Sequence, residues 1–577
     1  MAAFTWRGSA TPTQVVNAGP LALIQPLLDK LDIEHIIDQH LLPDPQQEYT
    51  HGHVLSVLLA ARLCRPTALM NIERWAEESG ADVLFNIPAD KLNDDRLGRA
   101  LDAFFDHRHS LLGSVTTRAL QCTGLSLERL HFDPTQLILS GAYASSQPRP
   151  PRPRAPGLQG DAQLAPAHIC HGYSSDRHLI LVGQLAVVDD RGAVPVFAHS
   201  LDGNRNGHPA IHEMYTLVGA HVGLPEEVLM ISDRGTCSLE HIARLHRHNH
   251  QALCAAQWQD YQAIYNAHAE RLQWHQASYL SIEQRRRRQQ HSTLPREHYE
   301  IAVLRHTLID PTNQQEIPAR LIFAYSTADE RQTQQRRQEN SAKIQAGLEK
   351  LQAKMQRGHP QCTYPSIVRQ IHTLLGKKDA ARYFHWQLVP LTAAEQAALP
   401  QPARGHVRPS YRLEFQFDAA AAKADERYDG LSVLLTTAKR QQSADALFTK
   451  YKEQNYVELL HHQWKTPLAV SPVFLKSPRR VEALVCLLQI ALQAYQVLER
   501  LYRQAVQANA DQPEQRMTAE RLLRAFSVYG LMVRRSRFGR VLYATRLCDR
   551  QKQILAHLHF PTPAQTLARK LLLEPSG

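Results

Sequence analysis

The sequence predicts an α/β protein: a mixed β-sheet covered by helices on both faces, interrupted by a β-rich insertion and flanked by helical N-terminal and C-terminal regions. Three observations predict it. Apolar residues recur at helical spacing up to about residue 115; short β-like runs alternate with amphipathic stretches between about 127 and 258; and a differently textured, alternating segment fills 259–424. A chain of 577 residues exceeds one hydrophobic core, so roughly three or four structural units are expected.

In residues 1–115, Ile24, Leu27, Leu28 and Leu31 fall on one helical face, as do Val54, Val57, Leu58 and Ala61, and then Leu97, Leu101 and Phe104. Asn93 and Asp94 stand where a helix cap belongs. Several short helices and no strand are expected here. In 116–258, Leu130 and Phe132 alternate with polar neighbours and lead into Asp133. Pro134 follows directly and removes a ladder donor, so the strand is expected to end or bulge there. The stretch Gln147-Pro148-Arg149-Pro150-Pro151-Arg152-Pro153-Arg154 reads as a polyproline-type loop, either solvated or touching phosphates. Runs at 178–188, 194–199, 228–232 and 251–256 read as strands; 209–222 and 238–248 read as helices, the second capped by Ser238.

The insertion, 259–424, opens with a charged helix containing Arg285–Arg288. Alternating runs follow at 298–304, 319–325 and 411–417, around a long polar helix, 331–355, with Ile344, Leu348 and Leu351 as its apolar stripe. Strand character returns at 429–436. Residues 444–464 and 481–506 read as strong amphipathic helices, which makes 425–510 the second part of the sheet domain. Residues 511–577 are expected to form two or three more helices.

The formal net charge is +11 and the pI about 9.2. That balance favours a polyanionic partner, nucleic acid or an anionic membrane surface, over a charge kept for solubility alone. No long basic amphipathic helix stands out, which disfavours the membrane. Eight cysteines, at 64, 122, 170, 237, 254, 362, 486 and 548, form no Cys-x-x-Cys pair and read as reduced thiols. Residues 1–10 lack the blocks of a signal peptide, and the apolar run Val481–Ala494 is too short for a bilayer and interrupted by Glu482, Gln489 and Gln493. A soluble, cytoplasmic protein is expected.

Three carboxylates carry the chemistry. Asp133 and Asp233 close apolar, strand-like runs, and Glu458 lies on a helix. Strands hold aspartates rigidly, and a helix packed across the sheet brings in a third oxygen donor from far along the chain. Magnesium takes such hard oxygen ligands, and two ions together activate one oxygen and stabilise another in phosphoryl transfer. Tyr451, Glu458 and Lys465 are spaced by seven and share one helical face. A surface glutamate with solvated neighbours is the plainer alternative for Glu458 alone.

The run Tyr451, Gln454, Glu458, Lys465 resembles the Tyr-Arg-Glu-Lys signature of a large group of bacterial insertion-sequence DDE transposases, with Gln454 in the arginine place. Tyr428-Asp429-Gly430-Leu431, Trp464-Lys465-Thr466-Pro467-Leu468, His171-Gly172-Tyr173-Ser174-Ser175-Asp176 with Asp202-Gly203-Asn204, and Ser232-Asp233-Arg234-Gly235 resemble further motifs of the group, in order. The resemblance spans roughly 15–510. It implies an RNase H-like catalytic core, a helical N-terminal region that binds terminal inverted repeats, Asp133, Asp233 and Glu458 as catalytic metal ligands for two Mg2+ (or Mn2+), and DNA contacts from Tyr451 and Lys465. Lys452 is the expected replacement for the missing arginine charge. Double-stranded DNA, at element ends and target, is the implied partner, with a homodimer on the bacterial nucleoid and no membrane. A metal-dependent nuclease without strand transfer, and a DNA-binding protein with repurposed catalysis, are the alternatives.

Weaker signals remain. His246, His248 and His250 alternate without the tight ligand set of a zinc site. His461 and His462 lie one turn past Glu458, as candidate proton carriers or phosphate contacts. Trp464 is a core residue or a base-stacking one.

Overall fold

The computed structural model describes residues 13–42, 45–148, 165–172, 177–189, 192–205, 207–235, 238–281, 284, 297–359, 362–376, 379–399, 407–466, 468, 475–507, 517–536 and 539–573. The arginine-bearing part of the polyproline stretch and Arg285–Arg288 lie outside them. The strands are β1 (Thr13–Asn17), β2 (Arg129–Ile138), β3 (Cys170–His171), β4 (His178–Asp189), β5 (Gly192–Leu201), β6 (Leu229–Ser232), β7 (Gln251–Ala255), β8 (His275–Gln276), β9 (Tyr299–Ile309), β10 (Glu316–Ser326), β11 (Phe384–Pro390), β12 (Tyr411–Phe417), β13 (Leu431–Thr436), β14 (Gly530–Ser536) and β15 (Gly539–Ala544).

The architecture is mixed α/β. One sheet runs in the order β3-β4-β2-β6-β7-β13-β10-β9-β8, with β5 also pairing β4. β2 and β4, and β4 and β5, are antiparallel, whereas β2, β6 and β7 are mutually parallel neighbours. The helices Gly207–His221 and Leu239–Arg247 make the crossovers before β6 and β7. Parallel strands buried on both faces read as unbroken apolar runs, and β6 and β7 are buried throughout.

Four expectations are corrected. The β-rich insertion is smaller than 259–424, because β8, β9 and β10 belong to the main sheet. β10 pairs β9 on one side and β13 on the other, and it buries Leu321 and Phe323 in one core and Ile322 and Ala324 in another, as a central strand must. The part with its own core is the helix Thr327–Gln356, the helix Tyr364–Leu375 and the β11–β12 pair, joined through Ile344, Leu348, Ile367, Ile371 and Leu413. The N-terminal region is not purely helical, since β1 precedes its helices. The C-terminal region is not purely helical either: β14 and β15 form a hairpin that pairs β1 in a three-stranded sheet. Its alternation is legible in hindsight, with Leu531, Val533 and Leu542 buried and Met532 and Tyr543 exposed. Finally, Cys254 is disulfide-bonded rather than reduced.

The helix Pro478–Gln507 runs through the centre. Its stretch Pro478–Val506 is long and apolar enough to cross a membrane, contrary to the reading of Val481–Ala494, but its apolar 18-residue window is wholly buried in the protein. The three polar residues that interrupt it have fixed partners. Glu482 accepts from Arg108 Nε at 2.9 Å and Ala167 N at 2.7 Å; Gln489 accepts from Gln184 at 2.7 Å; Gln493 donates to Thr116 at 3.0 Å and to the Pro195 carbonyl at 2.9 Å. Buried polar groups are tolerated when paired in this way, and these pairs tie the N-terminal helices and the sheet to one axis.

Candidate active site

The register of the parallel pair builds the site. β2 and β6 pair from Arg129↔Leu229 to Phe132↔Ser232 and then stop. Asp133 and Asp233 are the next residue on each strand, so they stand side by side about one strand spacing apart. Each is two residues beyond an inward-facing neighbour, His131 or Ile231, and strand alternation puts both on that face.

β2 does not end at Asp133, as Pro134 suggested, but continues to Ile138 against β4. The Glu128 carbonyl accepts from Leu229 N, so even-numbered residues of β2 direct their backbone groups towards β6. Pro134 therefore lacks its N–H on the side where β6 has already finished, and no ladder bond is lost.

The odd residues of β2 meet the glutamate helix one by one. His131 Nδ1 lies 2.7 Å from Gln454 Oε1. Asp133 Oδ2 lies 3.4 Å from His461 Nδ1. Thr135 Oγ1 accepts from Lys465 Nζ at 2.6 Å. Gln454 also donates to the Phe132 carbonyl at 3.3 Å. The expected single helix 444–464 is in fact two, Ala444–Lys452 and Asn455–Lys465. They break where Gln454 turns inward, and a 2.9 Å ion pair between Arg129 and Glu453 pins the break to β2. Tyr451 therefore sits on the first helix, and Glu458 and Lys465 on the second.

The electrostatics gather the acids at one point. Burial, then the charges of Asp233 and Glu458, push the Asp133 carboxyl up to about 7, against the pull of Lys465. Tyr451 donates to Asp233 Oδ1 at 3.4 Å, and burial together with the Asp233 and Glu458 charges holds its hydroxyl protonated well above the usual range. Burial lowers the Lys465 ammonium, with Asp133 opposing. Burial, then Lys465, lowers His461 to about 4, so it faces Asp133 as a neutral imidazole. Asp233 and Glu458 are exposed, while Asp133 keeps only 21% of its side chain in solvent.

Lys452 is not with them. Its ammonium lies 4.8 Å from the Tyr299 ring centre and 5.5 Å from that of Phe448, and burial lowers it. Trp464 is fully buried and His462 is exposed. His248 and His250 are engaged with the Arg244 carbonyl and Val228 N. Two motifs of the resemblance are structural staples. Asp429 is buried against Arg337 of the long helix, with one bond at 2.9 Å, and Asp202 accepts from His168 N at 2.8 Å beside Gly203, where any Cβ would strike the Leu179 carbonyl. His131 and Thr135 were missed by sequence reasoning. Their signal was the alternation His131, Asp133, Thr135 on one strand face.

Among the described residues, no three His, Cys, Asp or Glu side chains stand close enough together to hold a metal ion as they are placed. The donor set nevertheless suits magnesium. Three carboxylates repel one another with a single nearby ammonium, a charge excess that a divalent cation relieves, and magnesium is commonly held by one or two carboxylates with water and phosphate completing its shell.

The fold and site thus define a mixed α/β protein with an acidic cluster at the end of its parallel strand pair. Residues 13–115 match a domain of unknown function, DUF4277. No curated protein matches the chain. A piggyBac transposase synaptic complex with hairpin DNA, solved by cryo-EM, aligns over 98% of this chain and 89% of its own, at 8% identity and a TM-score of 0.34.

Proposed function

We propose that the chain is a DNA transposase with an RNase H-like core, which cuts DNA at element ends and joins them to a target. The observation that carries this reading is the convergence of Asp133, Asp233 and Glu458 on one another's charges from three distant parts of the sequence. The strand order β5-β4-β2-β6-β7, antiparallel then parallel, supports the RNase H-like core.

Asp133, Asp233 and Glu458 would hold two magnesium ions, which supply Lewis-acid stabilisation of the attacking and leaving oxygens when bound. Asp133 provides the rigid, half-dry carboxylate, and Asp233 the exposed one that meets solvent and substrate. Neutral His461 orients the Asp133 carboxylate without competing for it as a charge. Tyr451 keeps its proton and fixes Asp233. Lys465, held at Thr135, stands where a phosphate entering the cluster would find a cation. Gln454 has no role at the DNA; it seats the helix.

The test is cleavage of an end-bearing supercoiled plasmid with Mg2+. Asp133→Asn, Asp233→Asn and Glu458→Gln should each cut at least about 100-fold more slowly, and the wild type should join a 3′-OH end to plasmid DNA. Cutting unaffected by all three changes would end the proposal. Cutting without joining would favour the nuclease.

A further inference from the structure

Arg234 follows Asp233 directly, yet it serves the opposite side of the sheet. Asp233 shares the face of Ile231, which packs in the smaller core with Ala444, Leu447 and Phe448. Arg234 instead lines a cavity of about 210 Å³ with Ile242, Leu308 and Leu435, which belong to the main core with Met230. Its charge is still felt at the Tyr451 hydroxyl, where it opposes the rise caused by burial and Asp233. Arg234 therefore stands on the rim between the cavity and the carboxylates. It is exposed, and among the described residues no side chain holds its guanidinium.

The place of the cavity follows from the strand order. β6 and β7 are parallel, the helix Leu239–Arg247 returns between them, and the cavity opens beyond their carboxyl ends, where open α/β sheets hold ligands. Its inner walls, Ile242, Leu308 and Leu435, are buried. Its rim also carries Asp260, from the first turn of the next helix, Trp258–His268. Asp260 is exposed and pairs with no described cation, Arg234 included. An apolar slot thus has an unengaged cation and an unengaged carboxylate at its mouth. Its volume is below the roughly 300 Å³ at which sites for drug-sized ligands begin, so it suits a single planar ring. A cation for a phosphate, apolar walls for a ring and an acceptor for an amino group together match one nucleotide.

We propose that Arg234 and this cavity seat the last, unpaired nucleotide of a DNA strand lying in the carboxylate site, its phosphate on the guanidinium and its base in the slot, with Asp260 selecting bases that carry an exocyclic amino group. A carboxylate accepts hydrogen bonds and does not donate them. It favours adenine and cytosine, whose amino groups donate, over thymine, whose O4 is a competing acceptor. An unpaired end also avoids the cost of drawing a base out of the stack. The inference rests on the proposed DNA-cutting role of the neighbouring acids.

The test uses the full-length protein without Mg2+ and short fluorescent DNA duplexes that end in one unpaired 3′ nucleotide, adenine, cytosine or thymine. Wild type should bind the adenine and cytosine ends about 5-fold or more tighter than the thymine end, the lower bound for a base-specific contact. Asp260→Asn, whose amide can also donate, should erase that preference. Arg234→Ala should weaken all three ends alike and lower the slope of log K against log salt by about 1, the share of one phosphate contact. Arg234→Lys should keep the slope. Both residues are exposed, so the variants fold as wild type does. Equal binding of the three ends by wild type would overturn the inference, as would a preference that survives Asp260→Asn or a salt slope unmoved in Arg234→Ala. Cutting of supercoiled plasmid with Mg2+ separates the two readings. Normal wild-type cutting with equal binding of the ends sinks only the cavity; an Asp260-dependent preference in a protein that never cuts sinks only the transposase.

Discussion

Asp133 is the residue on which fold and chemistry pull apart. Its folded pKa, about 7, lies above the ordinary carboxylate value, chiefly because it is buried. Between about pH 4 and 7 the folded protein keeps a proton that the unfolded chain has released, so stability falls as pH rises and the full cost is present above about 7. That cost is on the order of a few kcal/mol at most. Asp133→Asn removes it. In metal-free buffer the variant should melt about 2 °C or more above wild type at pH 8 and gain nothing at pH 4. Millimolar Mg2+ at pH 8 should stabilise wild type and leave the variant nearly unmoved. A gain independent of pH would show that Asp133 does not carry this charge burden.

The same strand shows what the residues alone revealed. The acids announced themselves through their apolar approaches, and the register, one hundred residues apart at every pair, makes those approaches a matched pair. The partners of the acids were harder to see. His131 and Thr135 matter only because a helix more than three hundred positions away lies along them, and no local pattern encodes that meeting. Lys452 failed for the complementary reason: a lysine one residue from a tyrosine of the signature has the right sequence address, but helical geometry turns it into the Tyr299–Phe448 aromatics.

At the scale of elements, the break between the two short helices is the seat of the third carboxylate. Seven-residue spacing predicted one continuous face; the chain instead interrupts it so that Gln454 can satisfy both His131 and the Phe132 carbonyl. Gln454→Leu removes the Nδ1 partner of the buried His131 ring and should cost about 1–3 kcal/mol in urea unfolding. His131→Phe with Gln454→Leu removes both polar partners and should recover part of that loss. Strict additivity of the two single changes would mean the pair does not seat the helix. Restoring arginine at 454 should not strengthen DNA binding, because the position faces the sheet and not solvent. Element types were read well wherever periodicity was long, as in the helix Thr327–Gln356, and poorly where strands were short and ended in arginines, as in β14 and β15.

At the scale of the whole molecule, the central helix Pro478–Gln507 gathers N-terminal helices, sheet and C-terminal segment around one buried axis. Glu482→Gln should destabilise the protein by about 3–5 kcal/mol, since it leaves the Arg108 guanidinium buried without its counter-charge; a chemical-denaturation midpoint equal to wild type would contradict this. Deleting 517–577 should make residues 13–42 newly sensitive to limited proteolysis, because β1 pairs only with β14 among the described strands. Resistance there would mean that the N-terminal region closes by itself. The domain plan legible in the sequence placed these regions at opposite ends; long-range strand pairing has no signature in composition or period, which is why their union was not.

That union sets a timetable for synthesis. β1 leaves the ribosome about five hundred residues before β14, so a nascent chain carries an open ladder throughout that interval. A copy cut short before β14 never closes it, and keeps that ladder open to pairing with other chains and to proteases.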